Sequence, residues 1–290
     1  MKLLKVAFVM AGVLVSAQAQ KLNDFVGKYG NANGAGFMQP LADAFSANLN
    51  SGLFESAYVP LEGFHINFSV VALGAPVSDS RKTFLAKTDD PFSPPGSTQA
   101  PTIFGSTDGA SVPGTGGTTY NFPGGLNLGL FAIAAPQITV GSVYGTEVLV
   151  RFFQAKLGDS FGTLKLYGIG FRHNVKRYFN LKNFPLDLAG GLYYQHFEIG
   201  DIVSANTVLI SAQGSYKTSV LVLYGGPGVE ISTMDVQYDG TSGKINLSLK
   251  AANSVRFTLG AALHLAFFRL FADYNLASQS TFTVGVGFAF

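Results

Sequence analysis

The last ten residues, Thr281-Phe-Thr-Val-Gly-Val-Gly-Phe-Ala-Phe290, alternate without a break. Phe282, Val284, Val286, Phe288 and Phe290 fall on one parity. Thr281, Thr283, Gly285, Gly287 and Ala289 fall on the other. A strand turns successive side chains to opposite faces, so this segment carries one face fit for hydrocarbon and one of small and polar groups. Soluble sheets also alternate, but they rarely end a chain on an exposed aromatic residue. The pattern constrains the chain towards a barrel whose outer wall meets lipid.

Further segments of about ten residues repeat the alternation, the signature of a membrane barrel. In 63–75, Phe64, Ile66, Phe68, Val70 and Ala72 oppose His65, Asn67 and Ser69. In 144–156, Tyr144, Val148, Val150 and Phe152 oppose Glu147 and Arg151. Across 186–198, Leu186, Leu188, Leu192 and Tyr194 oppose Asp187, Tyr193 and Gln195. Across 207–217, Val208, Ile210, Ala212 and Tyr216 oppose Ser211, Gln213, Ser215 and Lys217. The stretch 255–267 sets alternate apolar residues from Val255 to Phe267 against Arg256, Thr258, Gly260 and His264. The next, 268–276, sets Phe268, Leu270, Ala272, Tyr274 and Leu276 against Arg269, Asp273 and Asn275. Weaker strands are expected at 137–143, 162–172, 220–231 and 244–249, with one more from 81–87 or 126–133. The expected fold is all-β: a closed antiparallel barrel of about 10 to 14 strands, with 12 as the central count.

The start of the chain reads as a secretory signal over residues 1–19. Lys2 and Lys5 are followed by an apolar run from Val6 to Val15 and by the small-x-small string Ala17-Gln18-Ala19. That run is shorter than the ~20 residues a spanning helix needs. The richest later stretch, 257–268, is interrupted by His264 and flanked by Arg256 and Arg269. Membrane residence therefore calls for a barrel, since only helices and closed barrels satisfy every backbone group in hydrocarbon. Charged residues make up only 12% of the chain, and Gly (35) and Phe (26) abound. Cysteine is absent, which excludes disulfides, thiolate metal sites and a Cys nucleophile. A net charge of +2 gives no reason to expect a nucleic-acid partner.

Two regions break the strand rhythm. Within 20–60, Pro40-Leu-Ala-Asp-Ala-Phe-Ser-Ala-Asn-Leu49 opens on a Pro suited to a first helical turn and spaces Leu41, Phe45 and Leu49 by four. A short amphipathic helix is expected there, either packed in the lumen as a plug or held as a periplasmic leader. The run 76–125 is rich in Pro, Gly, Ser and Thr and is expected to be one long loop at the extracellular mouth. The barrel itself is assigned to 61–290.

The polar residues opposite the greasy parity form a set: His65, Asn67, Glu147, Arg151, Asp187, Gln195, Gln213, Lys217, Arg256, His264, Arg269 and Asp273. An Arg or Lys facing lipid near midplane costs ~2–4 kcal/mol, so this parity is assigned to the lumen. Glu147 and Arg151 lie too far apart along one strand to pair (~13 Å), as do Arg269 and Asp273. Their partners must come from neighbouring strands. The four His show no metal-type spacing, and no Ser stands in a nucleophile-elbow motif. The chain is accordingly read as not an enzyme, with no metal and no cofactor. The basic run 173–182 reads as an interfacial turn resting among headgroups.

Gly145-Thr-Glu-Val-Leu-Val-Arg151, Gly168-Ile-Gly-Phe-Arg-His-Asn-Val-Lys176, Phe184-Pro-Leu-Asp-Leu188, Ala272-Asp-Tyr-Asn275 and the terminal strand together resemble a family of bacteroidete-type outer-membrane barrels of no established function. More loosely, the chain is similar to outer-membrane long-chain fatty-acid transporters, with Pro40-Leu-Ala-Asp-Ala-Phe45 in the place of their hatch helix. These resemblances imply the outer membrane of a Gram-negative bacterium, contact with its lipid, and barrel-assembly machinery reading Phe290. The expected function is a plugged channel passing a small hydrophobic ligand. The alternative is a non-transporting scaffold that binds partners through 76–125.

Overall fold

The structure is a computed structural model that describes residues 31–156, 163–179, 184–240 and 243–290. The expected signal segment lies outside the described residues. In chain order the elements are helix α1 (Asn31–Leu49) and strands β1 (His65–Pro76), β2 (Thr83–Lys87), β3 (Ser97–Pro101), β4 (Ala110–Pro113), β5 (Thr119–Phe122), β6 (Leu130–Val143), β7 (Thr146–Lys156), β8 (Thr163–Asn174), β9 (Asp187–Ile199), β10 (Val203–Lys217), β11 (Leu221–Gly240), β12 (Gly243–Lys250), β13 (Val255–Leu265), β14 (Phe268–Leu276) and β15 (Thr281–Ala289).

Ten strands close a ring in the order β1, β6, β7, β8, β9, β10, β11, β13, β14, β15 and back to β1, every neighbour antiparallel. The last strand closes on the first, from Gly74 opposite Phe282 to Asn67 opposite Ala289. Reciprocal bonds between Ile66 and Phe290 of 3.0 and 2.8 Å extend that ladder to the final residue. Within the ring, neither the first nor the last strand is left as an open edge that could seed pairing with another chain.

The ring has ten strands rather than twelve. β12 lies along the same edge of β11 as β13 and beyond its end: Thr233–Gly240 pair with β12, Leu221–Val229 with β13. It lengthens the wall without widening it. The stretch expected as a strand at 81–87 becomes β2 in a separate hairpin with β3, and 126–133 contributes the start of β6.

The alternation holds around the ring. On β10 the odd-numbered residues from Val203 to Ser215 are buried and the even-numbered ones are partly or fully exposed. The outward set, including Phe68, Val150, Ile169, Leu192, Ile210, Leu259 and Val286, forms a continuous apolar band. Soluble monomers rarely show an apolar surface of that extent.

The inward parity carries glycines directly opposite aromatic side chains: Gly170 against Tyr193, Gly260 against Tyr224, Gly285 against Phe271. A Cβ on these glycines would lie 2.3, 2.4 and 2.1 Å from the ring facing it. The rings thus lie flat on the wall and leave the centre free. An eight-stranded barrel is filled by its own side chains; this wider ring has room for one slender helix, and α1 supplies it with Ala42, Ala44 and Ala47 fully buried.

The helix is longer than its expected span and holds Pro40 in its interior rather than at its first turn. Pro40 cannot donate to the Gly36 carbonyl, and the preceding Asn/Gly/Ala stretch has weak helix propensity. Tertiary contacts stabilise that half. Asn33 exchanges two hydrogen bonds with the Lys87 backbone at 2.7 and 3.0 Å, Ile103 N donates to Phe37 O at 3.1 Å, and Arg81 pairs with Asp43. These partners come from 76–125, which is not one open loop but two hairpins, β2–β3 and β4–β5, capping the helix with buried Ile103, Phe104 and Phe122.

Gly285→Ala and Gly260→Ala are each expected to lower stability by about 1–3 kcal/mol through overpacking. Gly190→Ala, where a Cβ meets only Val175 at 3.6 Å, is expected to be near neutral. Urea unfolding midpoints in lipid vesicles check the contrast.

Candidate functional site: a helix end held between two arginines

The last turn of α1 leaves carbonyls without intrahelical donors, and it lies inside the ring where bulk water is not the partner. Two guanidinium groups take them up. Arg151 on β7 donates from Nη1 to Leu49 O at 3.0 Å and from Nη2 to Ser51 O at 3.0 Å and Gly52 O at 3.4 Å. Arg256 on β13 donates from Nη1 to Asn50 O at 2.8 Å and from Nη2 to Ala47 O at 3.1 Å. In the ring order β7 and β13 stand five strands apart in either direction, so the helix end is gripped from opposite walls. The negative end of the helix dipole complements both cations.

The two arginines are balanced differently. Arg256 pairs with Glu230 at 2.8 Å, and Glu230 also accepts from Asn50 Nδ2 at 2.6 Å. Arg151 is fully buried, and among the described residues no carboxylate lies within ion-pair distance of it. It donates to Gln137 Oε1 from Nε at 3.2 Å and from Nη2 at 2.7 Å; Gln137 in turn donates to Gly52 O at 3.0 Å. Its charge rests on neutral acceptors and the helix end.

Above and below this grip the lumen differs. Towards the hairpins, Leu41 and Phe45 of α1 meet Ile103, Phe104, Phe131 and Phe197 around an apolar chamber of about 90 Å³. Leu49 is fully buried at the grip. Towards Phe290, a cavity of about 330 Å³ holds a charged cluster. Glu147 meets Arg172 at 2.8 Å and His65 at 3.1 Å. Glu55, on the segment after α1, accepts from Asn67 at 3.4 Å and lies 3.6 Å from His264 and 3.9 Å from Arg269.

The remaining polar candidates sit elsewhere on the inner wall or its rim. Gln213 donates to Tyr193 Oη and Ser211 Oγ, both at 2.8 Å. Asp273 accepts from Tyr224 at 3.2 Å and Asn275 at 2.8 Å. Gln195 is fully buried with neither amide atom paired within the protein. Asp187 lies 4.0 Å from Lys176 at the rim, and Lys217 borders the lower cavity. Glu55, Arg172, Glu230 and Asn50 were missed by sequence reasoning. Arg172 and Glu230 lie on strands with weak alternation, whereas Asn50 and Glu55 lie on no strand. Only the alternation of 168–174 offered a signal for Arg172.

One family model, described as a family of unknown function (DUF6588), matches residues 1–290. The chain belongs to that family. A search of curated proteins returns no match. Among solved structures, the chain is similar to the attachment invasion locus protein Ail of Yersinia pestis, at 11% identity and a TM-score of 0.31, covering 79% of this chain and 99% of that one. It is also similar to a loop-deletion form of OmpT, an outer membrane protein of Vibrio cholerae (12%, 0.28, 79% and 98%), and to Neisserial surface protein A (11%, 0.26, 79% and 98%). Identities and scores this low leave activity to be read from the chain's own geometry. The matches give no support to a bacteroidete-type family or to the likeness with fatty-acid transporters.

The expectation that the chain is not an enzyme is withdrawn. It rested on spacing along the sequence. The fold gathers Glu55, Glu147, His65 and His264 into one cavity from separate segments, a set that linear spacing cannot register, so the missing motif excludes nothing.

Arg256→Met is expected to destabilise the barrel by about 3–5 kcal/mol, because it strands the buried Glu230 carboxylate. Adding Glu230→Gln is expected to recover part of that loss, and a double-mutant cycle in urea measures the coupling.

Proposed function

We propose that this chain is a bacterial outer-membrane barrel that admits small hydrophobic molecules, with α1 as its plug. The continuous apolar band supports the membrane reading, and no helix among the described residues is long and apolar enough to cross a bilayer. The Phe290 end faces the periplasm, where assembly machinery reads the terminal strand, and the hairpins of 76–125 face outward.

The observation that carries the ligand class is the chamber beside α1. Every residue lining it is apolar, four of them Phe. Ligand sites are mostly apolar with few polar anchors, and a cavity lined only by hydrocarbon favours an apolar occupant over water. A molecule entering from the hairpin side meets this chamber before the arginine grip. The helix holds it there; passage onward requires the helix end to leave Arg151 and Arg256.

The chain has no Trp, so Phe104→Trp places a single fluorophore on the chamber. Titration with toluene is expected to give a saturable emission change, lost when Val203→Phe fills the space. Linear partitioning in both proteins would reject the chamber as a binding site. For the plug, single-channel recordings after deletion of 21–53 are expected to show raised conductance, and an unchanged current would reject that role.

A further inference from the structure

The wall itself is interrupted along one of its longest strand pairs. Between β10 and β11 the register runs from Val203 opposite Val236 to Ser211 opposite Gly228, then resumes at Gly214 opposite Gly225. The two intervening pairs, Ala212 with Pro227 and Gln213 with Gly226, are missing from the ladder. Pro227 has no N–H to give, and Pro inside a sheet is confined to edges and bulges. Gly226 has φ +152°, and a Cβ on it would lie 2.0 Å from Ala212 O. The strands can come this close only because the residue is glycine.

On the outer face this break floors a concavity of about 500 Å³. Ala212, Gly214, Gly225 and Pro227 form the floor. Leu188 stands on one side, paired with Gly214, and Phe257 and Leu259 on the other, paired with Pro227 and Gly225. Tyr216 and Leu223, opposite each other, bound the end nearest the short β10–β11 turn. That turn lies at the same end of the ring as Phe290. Gly226 also borders a small internal cavity beside Asn50 and Arg256, so at this point the wall between lumen and outer face is backbone alone.

We propose that this concavity is a binding cleft for one acyl chain of a membrane phospholipid. Its place decides the occupant: it is continuous with the apolar band, flanked by the exposed Ile210 and Leu223, and its outward-facing floor is hydrocarbon. Small floor residues between large ridges admit a chain lying along the strands rather than across them. Tyr216 at the mouth is suited to the headgroup level, where amphipathic rings collect. The inference rests on the membrane reading above but not on the lumen chamber.

Native mass spectrometry of the full chain, extracted in mild detergent, tests it. The wild type is expected to retain one phospholipid per barrel. Ala212→Phe, which fills the floor, is expected to cut that occupancy at least tenfold, and Ala72→Phe, on the outer face of β1 across the ring, to leave it unchanged. Should Ala212→Phe fail to fold, Leu188→Ala with Leu259→Ala lowers the ridges and is expected to release the lipid. A wild type without retained lipid, or equal retention in the floor and control variants, overturns the cleft. Detergent dependence of all variants reports the membrane reading separately.

Discussion

A helix end inside a barrel poses one demand: its carbonyls must find donors where there is little water. Arg151 and Arg256 meet that demand from opposite sides of the ring. Much else follows from it. Planar guanidinium groups with several donors can serve two or three carbonyls at once, so two residues suffice. Their charge is offset by the helix dipole, by Glu230 and by Gln137. The inward glycines opposite Tyr193, Tyr224 and Phe271 clear the volume, and the small residues of α1 fill it.

The grip also divides the lumen. On the hairpin side the inner wall is apolar, with Leu73, Leu166, Phe197, Ala205 and Met234 buried around α1. On the Phe290 side it is charged, with Glu55, Glu147, Arg172 and two His around one cavity. A single barrel therefore offers two chemically distinct compartments in series. The proposed ligand class belongs to the first. The second gathers carboxylates, guanidinium groups and imidazoles at the opposite mouth.

Outer-wall alternation was legible in the sequence because a closed wall with an apolar outer face demands it residue by residue. Strands such as 255–265 and 281–289 could be assigned to their faces from parity alone. The strand count was less legible: 244–249 alternates like any strand, and nothing local shows that β12 prolongs β13 along the same edge of β11. The inner face was legible where it is polar. Where it packs against α1, both faces are apolar and parity fades, which is why β6 and β8 were weak. The first half of α1, from Asn31 to Gln39, is stabilised by Asn33, Phe37 and the hairpins rather than by propensity, so no local signal marked it. Arg151 and Arg256 stood out as inward polar residues, but their shared partner did not, because a backbone carbonyl leaves no trace in a sequence.

Hydrogen exchange on the membrane-reconstituted protein tests the helix grip most directly. If two guanidinium groups anchor α1 within the ring, amides of 41–49 exchange as slowly as those of β7 and β13, and speed up together when Arg151 and Arg256 are both replaced by Met. Rapid exchange of those helix amides in the unaltered protein, beside fully protected strands, would contradict the account.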